Sequence, residues 1–226
     1  MNLPVAGPRL WLRTAIAGAA LLIPAVAAGA ASAAAIAPTA ACYVNAGSHH
    51  PIVGIIGSGF TPGDDIAISG NGFFAHTAAS PTGTIALTGE GPGLGTIGPA
   101  VRTFTLQAQD ESTGSAFLAS TSIRVTNLAI GLSPSSVKNV HQDRVTYRFS
   151  GFRPGRHIYA YFRRKHSLAH YKFGKAAGPC GTAKAKALLY PGGHPGHNKY
   201  TVTFEQTSHY SKQSFPQIVS TLNLFF

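Results

Sequence analysis

The chain has 226 residues, enough for one large domain or two small ones. Hydrophobic residues make up 44% and charged residues only 11%, with 26 Gly and 15 Pro, which excludes a low-complexity chain and suits short strands joined by tight turns. The formal net charge of +11 directs attention to anionic partners.

Residues 1–41 read as a signal peptide and processing region. Arg9 and Arg13 form a positive start, 14–30 is an almost unbroken apolar run broken at Pro24, and Ala31-Ser32-Ala33 offers an A-x-A cleavage site. An uncleaved segment of about 20 residues would instead be a membrane anchor. Cys42 follows Thr39-Ala40-Ala41, so a lipidated cysteine is a further alternative, although Thr39 stands where an aliphatic residue is usual. The chain's other cysteine is Cys180; an oxidising compartment allows the two to pair, and two buried thiols are equally compatible with the sequence.

Beyond residue 41 the pattern is all-β. Strands are expected near 42–45, 52–57, 65–69, 73–78, 84–88, 101–107 and 117–125, then near 128–132, 144–150, 157–163, 169–173, 183–189, 200–204 and 219–224. Val145, Tyr147 and Phe149 alternate with Thr146 and Arg148, a period of two, and no window carries an apolar stripe of helical period. One phrase occurs twice, Ser58-Gly59-Phe60-Thr61-Pro62-Gly63-Asp64-Asp65-Ile66 and Ser150-Gly151-Phe152-Arg153-Pro154-Gly155-Arg156-His157-Ile158, offset by 92 residues. In each, Phe is a core anchor, Pro sets the turn and Gly takes positive φ before a strand resumes. Repetition at a domain-sized interval implies two copies of one fold, with domains at 42–127 and 128–226 and almost no linker between them. About seven short strands per copy suggest two consecutive immunoglobulin-like β-sandwich domains after a cleavable signal peptide.

The segment Gly57-Ser58-Gly59-Phe60-Thr61-Pro62-Gly63-Asp64-Asp65-Ile66 resembles the opening of bacterial Ig-like domains of IPT/TIG style in secreted actinobacterial proteins. The second copy, with Gly178-Pro179-Cys180-Gly181, is similar to C-terminal domains of secreted proteins from the same group. The resemblance implies the sandwich fold and carries no activity.

Charge divides the copies. Residues 42–127 hold Arg102 and Arg124 against Asp64, Asp65, Glu90, Asp110 and Glu111, a net of −3, whereas 128–226 hold fourteen Lys and Arg against Asp143 and Glu205, a net of +12. The cations cluster as Arg153 and Arg156, Arg163-Arg164-Lys165, Lys172 and Lys175, and Lys184 and Lys186, with Tyr159 and Tyr161 among them. Such a surface suits an anionic cell-wall polymer or acidic polysaccharide; single-stranded nucleic acid would fit the same chemistry, but export argues against it.

Other chemistry is weakly supported. Gly93-Leu94-Gly95-Thr96-Ile97-Gly98 matches G-x-G-x-x-G, yet Pro99 follows where a dinucleotide site needs a helix. His49-His50, His166 with His170, and His194 with His197 are the local pairs for a metal-dependent protein or hydrolase, but a zinc site needs three or four ligands. Asp64-Asp65 reads as turn aspartate. No G-x-S-x-G occurs, and the few carboxylates make a glycosidase pair hard to build. The expectation is a secreted, non-enzymatic binding or structural module with no cofactor and no metal, or else a passive spacer.

Overall fold

The computed structural model describes residues 33–47, 50–112, 116–135, 137–139, 142–164, 167–190 and 198–224. The expected signal segment lies outside them, as do His49, Lys165, His166, His194 and His197. Among the described residues every regular element is a strand, and no helix is long and apolar enough to cross a membrane.

Eight strands form the first half: β1 Ala35–Pro38, β2 Tyr43–Asn45, β3 Ile52–Ser58, β4 Asp65–Gly70, β5 Phe73–Ala78, β6 Ile85–Glu90, β7 Val101–Asp110 and β8 Ala116–Asn127. Seven form the second: β9 Ala129–Ser133, β10 Arg144–Ser150, β11 His157–Arg164, β12 Ser167–Lys175, β13 Ala183–Leu188, β14 Asn198–Glu205 and β15 Ile218–Leu224. The first half pairs them as β1-β3-β6 and β2-β8-β7-β4-β5; the second as β9-β10-β13 and β12-β11-β14-β15. Apart from β2, which runs parallel to β8, the two orders are the same when read in chain sequence.

Alternation explains why each pair of sheets closes on a core. In the first half Val53 and Ile55 of β3 meet Ile66 and Ile68 of β4, Leu106 of β7 and Ile123 and Val125 of β8. In the second, Val145, Tyr147 and Phe149 of β10 meet Ile158, Ala160 and Phe162 of β11, Phe173 of β12 and Phe204 of β14. The second core is the more aromatic, with Phe149 and Phe173 ring centroids 5.0 Å apart and Tyr147 and Phe173 4.8 Å apart. Such pairs add about 0.5–1.5 kcal/mol each beyond area burial.

The fold begins earlier than residue 42. β1 pairs with β3 from Ala35 opposite Ser58 to Pro38 opposite Ile55, and Ile36 is buried in the first core. Short and lacking alternating bulk, β1 owes its strand character to a partner remote in sequence, so local pattern does not mark it.

The repeated phrase makes the same corner twice. Phe60 and Phe152 are buried, and their amides donate to Gly83 O and Gly181 O. Gly63 N donates to Ala79 O and Gly155 N to Ala176 O. The receiving turns are themselves related: Ala79-Ser80-Pro81-Thr82-Gly83-Thr84 and Ala177-Gly178-Pro179-Cys180-Gly181-Thr182 share A-x-P-x-G-T, which the sequence reading did not register. Cys180 thus stands where the first copy has Thr82. The second turn carries one residue more, because Ala177 N reaches Thr182 O whereas Ser80 N reaches Thr84 O.

One residue, Leu128, separates β8 from β9, and the junction is densely bonded. Buried Asn127 donates through Nδ2 to Thr96 O at 2.6 Å and Gly98 O at 3.2 Å, and its Oδ1 accepts from Asn45 Nδ2 at 3.2 Å. Ser150 Oγ donates to Asn127 O at 2.6 Å, and Leu128 N to Asn45 O at 2.8 Å. A disulfide joins Cys42 to Cys180 beside this junction, Cα to Cα 5.2 Å. The Cys42 sulfur that lipidation would require is therefore engaged, and the chain as folded here has no thiol for a lipid anchor at that position. The described residues fall within a single compact unit.

Three stability outcomes are expected. Gly155→Ala meets open space at φ +78° and costs about 1–2 kcal/mol, the left-handed penalty alone. Gly181→Ala places a Cβ on the Phe152 carbonyl oxygen and costs about 4 kcal/mol or more in urea denaturation; equal costs would contradict the corner. Opening the 138-residue separation by Cys42→Ser with Cys180→Ser lowers stability by about 2–5 kcal/mol, read in the same assay.

Candidate functional site

The strands of the second half sort the expected basic residues onto different surfaces. On β10, Val145, Tyr147 and Phe149 point into the core, so Arg144, Thr146 and Arg148 face outward. On β13 the outward residues are Lys184 and Lys186. Register sets Arg148 opposite Lys184 and Thr146 opposite Lys186. An open groove of about 590 Å³ lies here, lined by Arg148, Lys175, Ala177, Thr182, Ala183 and Lys184. Two like charges directly across a ladder cost stability, a cost that an anion between them removes.

Arg148 is not among the residues that the runs of cations single out. It stands alone in sequence, outside every run of cations, and only the alternation of β10 with the β10–β13 register reveals its neighbours.

The outer face of the other sheet has a different character. Ile158, Ala160 and Phe162 of β11 point inward, leaving His157, Tyr159, Tyr161 and Arg163 on the opposite side. β12 adds His170 opposite Tyr161 and Lys172 opposite Tyr159. Tyr159 and Tyr161 are stacked with centroids 6.4 Å apart, Tyr210 meets Tyr161 edge-on at 5.8 Å, and the Arg163 guanidinium lies 5.5 Å from the centre of the Tyr210 ring. Tyr161 is no open stacking platform: it is 3% exposed, and its hydroxyl donates to Thr207 O at 2.8 Å. Burial pushes its phenol up to about 12, with smaller contributions from Glu205 and Tyr159. Its role is to hold the segment after β14 against the sheet.

Arg153 and Arg156 sit at the corner, exposed, with their backbone clamped by Gln206. Arg153 N donates to Gln206 Oε1 at 2.7 Å, and Gln206 Nε2 donates to Arg153 O at 2.9 Å and Arg156 O at 3.3 Å. Arg164 has the opposite parity to Arg163, near Tyr190, and Lys165 is outside the described residues. The ten described residues of the eleven expected for binding thus do not form one patch. The groove unites Lys175 and Lys184 with Arg148, and Lys186 continues its rim.

Neither acid of the second half neutralises this groove. Asp143 Oδ2 accepts from Lys138 N at 3.1 Å and Asn139 N at 2.9 Å. Glu205 is fully buried and accepts from Ser211 N, Ser214 Oγ and Gln217 Nε2. Both carboxylates anchor loops. Among the described residues no ion pair joins Arg148, Lys175, Lys184 or Lys186 to an acid.

The Gly-rich stretch 93–98 is irregular, lies between β6 and β7, and is followed by a strand. Leu94 roots it in the first core while its carbonyls serve Asn127, so it is a structural loop of the junction. Of the histidine pairs, His50 Nδ1 lies 2.9 Å from Gly91 O and His170 rests against Tyr161. Among the described residues the histidine that meets carboxylates is His76, a member of no pair. Asp65, His76 and Glu111 each offer a ligand atom, all within 4.8 Å of one another.

No family model matches the chain, and no curated protein matches it. Among solved structures it is similar to a tetra-tandem repeat in the extending region of a large adhesion protein, with 12% identity over 84% of this chain and a TM-score of 0.28. It spans about half of that structure, 48% of its length. The YadV chaperone is similar at 9% identity, covering 84% of this chain and 99% of the chaperone, with a TM-score of 0.27. Overlap this low says nothing of what the present chain binds.

Proposed function

We propose that the chain is an exported, non-enzymatic binding module of two immunoglobulin-like domains, whose second domain holds an acidic polysaccharide in the groove of Arg148, Lys175 and Lys184. The common strand order of the halves supports the domain reading, with the first domain starting at β1. The resemblance to secreted IPT/TIG-style domains rests on the repeated corner alone. The carrying observation for binding is the Arg148–Lys184 cross-strand pair in an open groove whose nearby acids are bonded elsewhere.

The ligand class follows from spacing. Lys184 and Lys186 alternate on one face of β13, about 6.6 Å apart along the strand. Cations repeated along a line suit a chain of carboxylates or sulfates better than one small acid. A passive spacer is the second reading, favoured by the one-residue link and the disulfide across the junction.

Binding of the exported protein to polygalacturonate, measured by calorimetry in 50 mM and 300 mM salt, separates the two. Affinity is expected to fall at least tenfold between these salts, as screening shortens the reach of surface charge. The double variant Arg148→Gln/Lys184→Gln is expected to lose at least tenfold at low salt, and Arg163→Gln/Lys172→Gln on the other face less than twofold. Absence of binding at low salt, or equal losses in the two variants, would leave the spacer.

A further inference from the structure

The first half carries a chemistry of its own on the outer face of β4, β5 and β7. Ile66 and Ile68 enter the core, so Asp65, Ala67 and Ser69 face away from it. His76 is opposite Ala67 on one side and Gln109 is opposite it on the other. Asp65 opens β4 directly after the Phe60 corner. Glu111 follows the end of β7, and its amide donates to Asp65 O at 3.0 Å, extending the ladder by one bond. Three separate segments therefore bring two carboxylates and an imidazole together on this face of the sheet. His76 Nδ1 is 3.7 Å from Asp65 Oδ1, and the side chains are 62% and 48% exposed. Phe74 flanks the group with its ring 6.2 Å from the imidazole.

The local charge is uncompensated by Lys or Arg of this half. Its two cations, Arg102 and Arg124, stand at the far end of the β7–β8 hairpin, opposite Val125 and Thr103. Nine residues of strand separate Arg102 from Glu111, about 30 Å, several times the screening length in physiological salt. Asp64 adds a third carboxylate next door. Two carboxylates that share a site with an imidazole and no Lys or Arg are a donor set for a cation.

We infer that Asp65, His76 and Glu111 form a binding site for a divalent transition-metal ion of the Zn²⁺ class. The imidazole nitrogen selects against calcium, which takes six to eight oxygens. Zinc accepts imidazole nitrogen and carboxylate oxygen at about 2.0–2.2 Å, which places tetrahedral ligands about 3.4 Å from one another. The observed group, within 4.8 Å, reaches that spacing by side-chain rotation of about an ångström, since all three side chains have solvent on one side. Three protein ligands leave one position for water or an external donor. The ion would tie β5, the free edge of the five-stranded sheet, to β4 and to the β7–β8 turn.

The test uses the full exported chain without an affinity tag, stripped with a chelator and titrated with Zn²⁺ by calorimetry and by histidine NMR. Wild type is expected to take up zinc with a shift of the His76 ring resonances. His76→Gln and Glu111→Gln are each expected to weaken this uptake at least tenfold, with the melting temperature of the metal-free protein unchanged. The variant His194→Ala/His197→Ala is expected to keep the His76 shift. Unmoved His76 resonances in wild type would overturn the site, as would His76→Gln binding zinc with wild-type affinity. The NMR readout on wild type holds whatever the folding of the variants.

Discussion

The passage from β8 to β9 through Leu128 is the constraint on which the arrangement depends. A linker this short cannot hold two cores apart, so backbone groups at the junction leave water and must find partners inside the protein. Asn127 answers that demand with both ends of its amide and with its carbonyl, reaching the 93–98 loop, Asn45 and Ser150. Gly151 completes the contact because a Cβ there would lie 2.7 Å from the Leu128 Cα. The serine of the repeated phrase is accordingly not equivalent in the two copies: Ser58 is exposed, whereas Ser150 is buried at the junction.

On this frame the two copies have been given opposite surfaces. The corner that reads Asp64-Asp65 in the first copy reads Arg156-His157 in the second. The first becomes part of a cation-attracting cluster; the second joins a basic, aromatic face. Shared backbone hydrogen bonds fix the corner, and the side chains it presents are free to differ in sign. β7 and β14, which hold corresponding places in the two strand orders, also both end on a buried acid, Asp110 and Glu205, each accepting from serine of the loop that follows. Those acids shape loops and leave the surface charge of each half to other residues.

Much of the fold was legible because its strands alternate clearly. All seven strands of the second half, and seven of the eight in the first, fall within a few residues of where period-two patterning puts them. β1 was missed because its pairing with β3 is a tertiary matter and its Ala-rich composition resembles the apolar run that precedes it. The candidate sites were less legible. Runs of cations in sequence suggested one basic patch, but alternation sends neighbours to opposite sides and cross-strand register supplies the true partners, as with Arg148 and Lys184. Tyr161 looked available for stacking because nothing in its own strand shows that residues 206–217 cover it. Asp65, His76 and Glu111 come from three segments, and only the sheet order unites them.

The Cys42–Cys180 bridge also has a mechanical meaning. Tension applied to the two ends of the chain would enter on the N-terminal side of Cys42 and on the C-terminal side of Cys180. The bridge carries that load across the junction in a covalent bond, so residues 43–179, including the whole first core apart from β1, lie in a closed loop off the path of the force. Only the stretches on either side of the bridge can be drawn out. With the cross-link formed, β1 of the first half and β13, β14 and β15 of the second lie on that path, and the strands from β2 to β12 are sheltered from it.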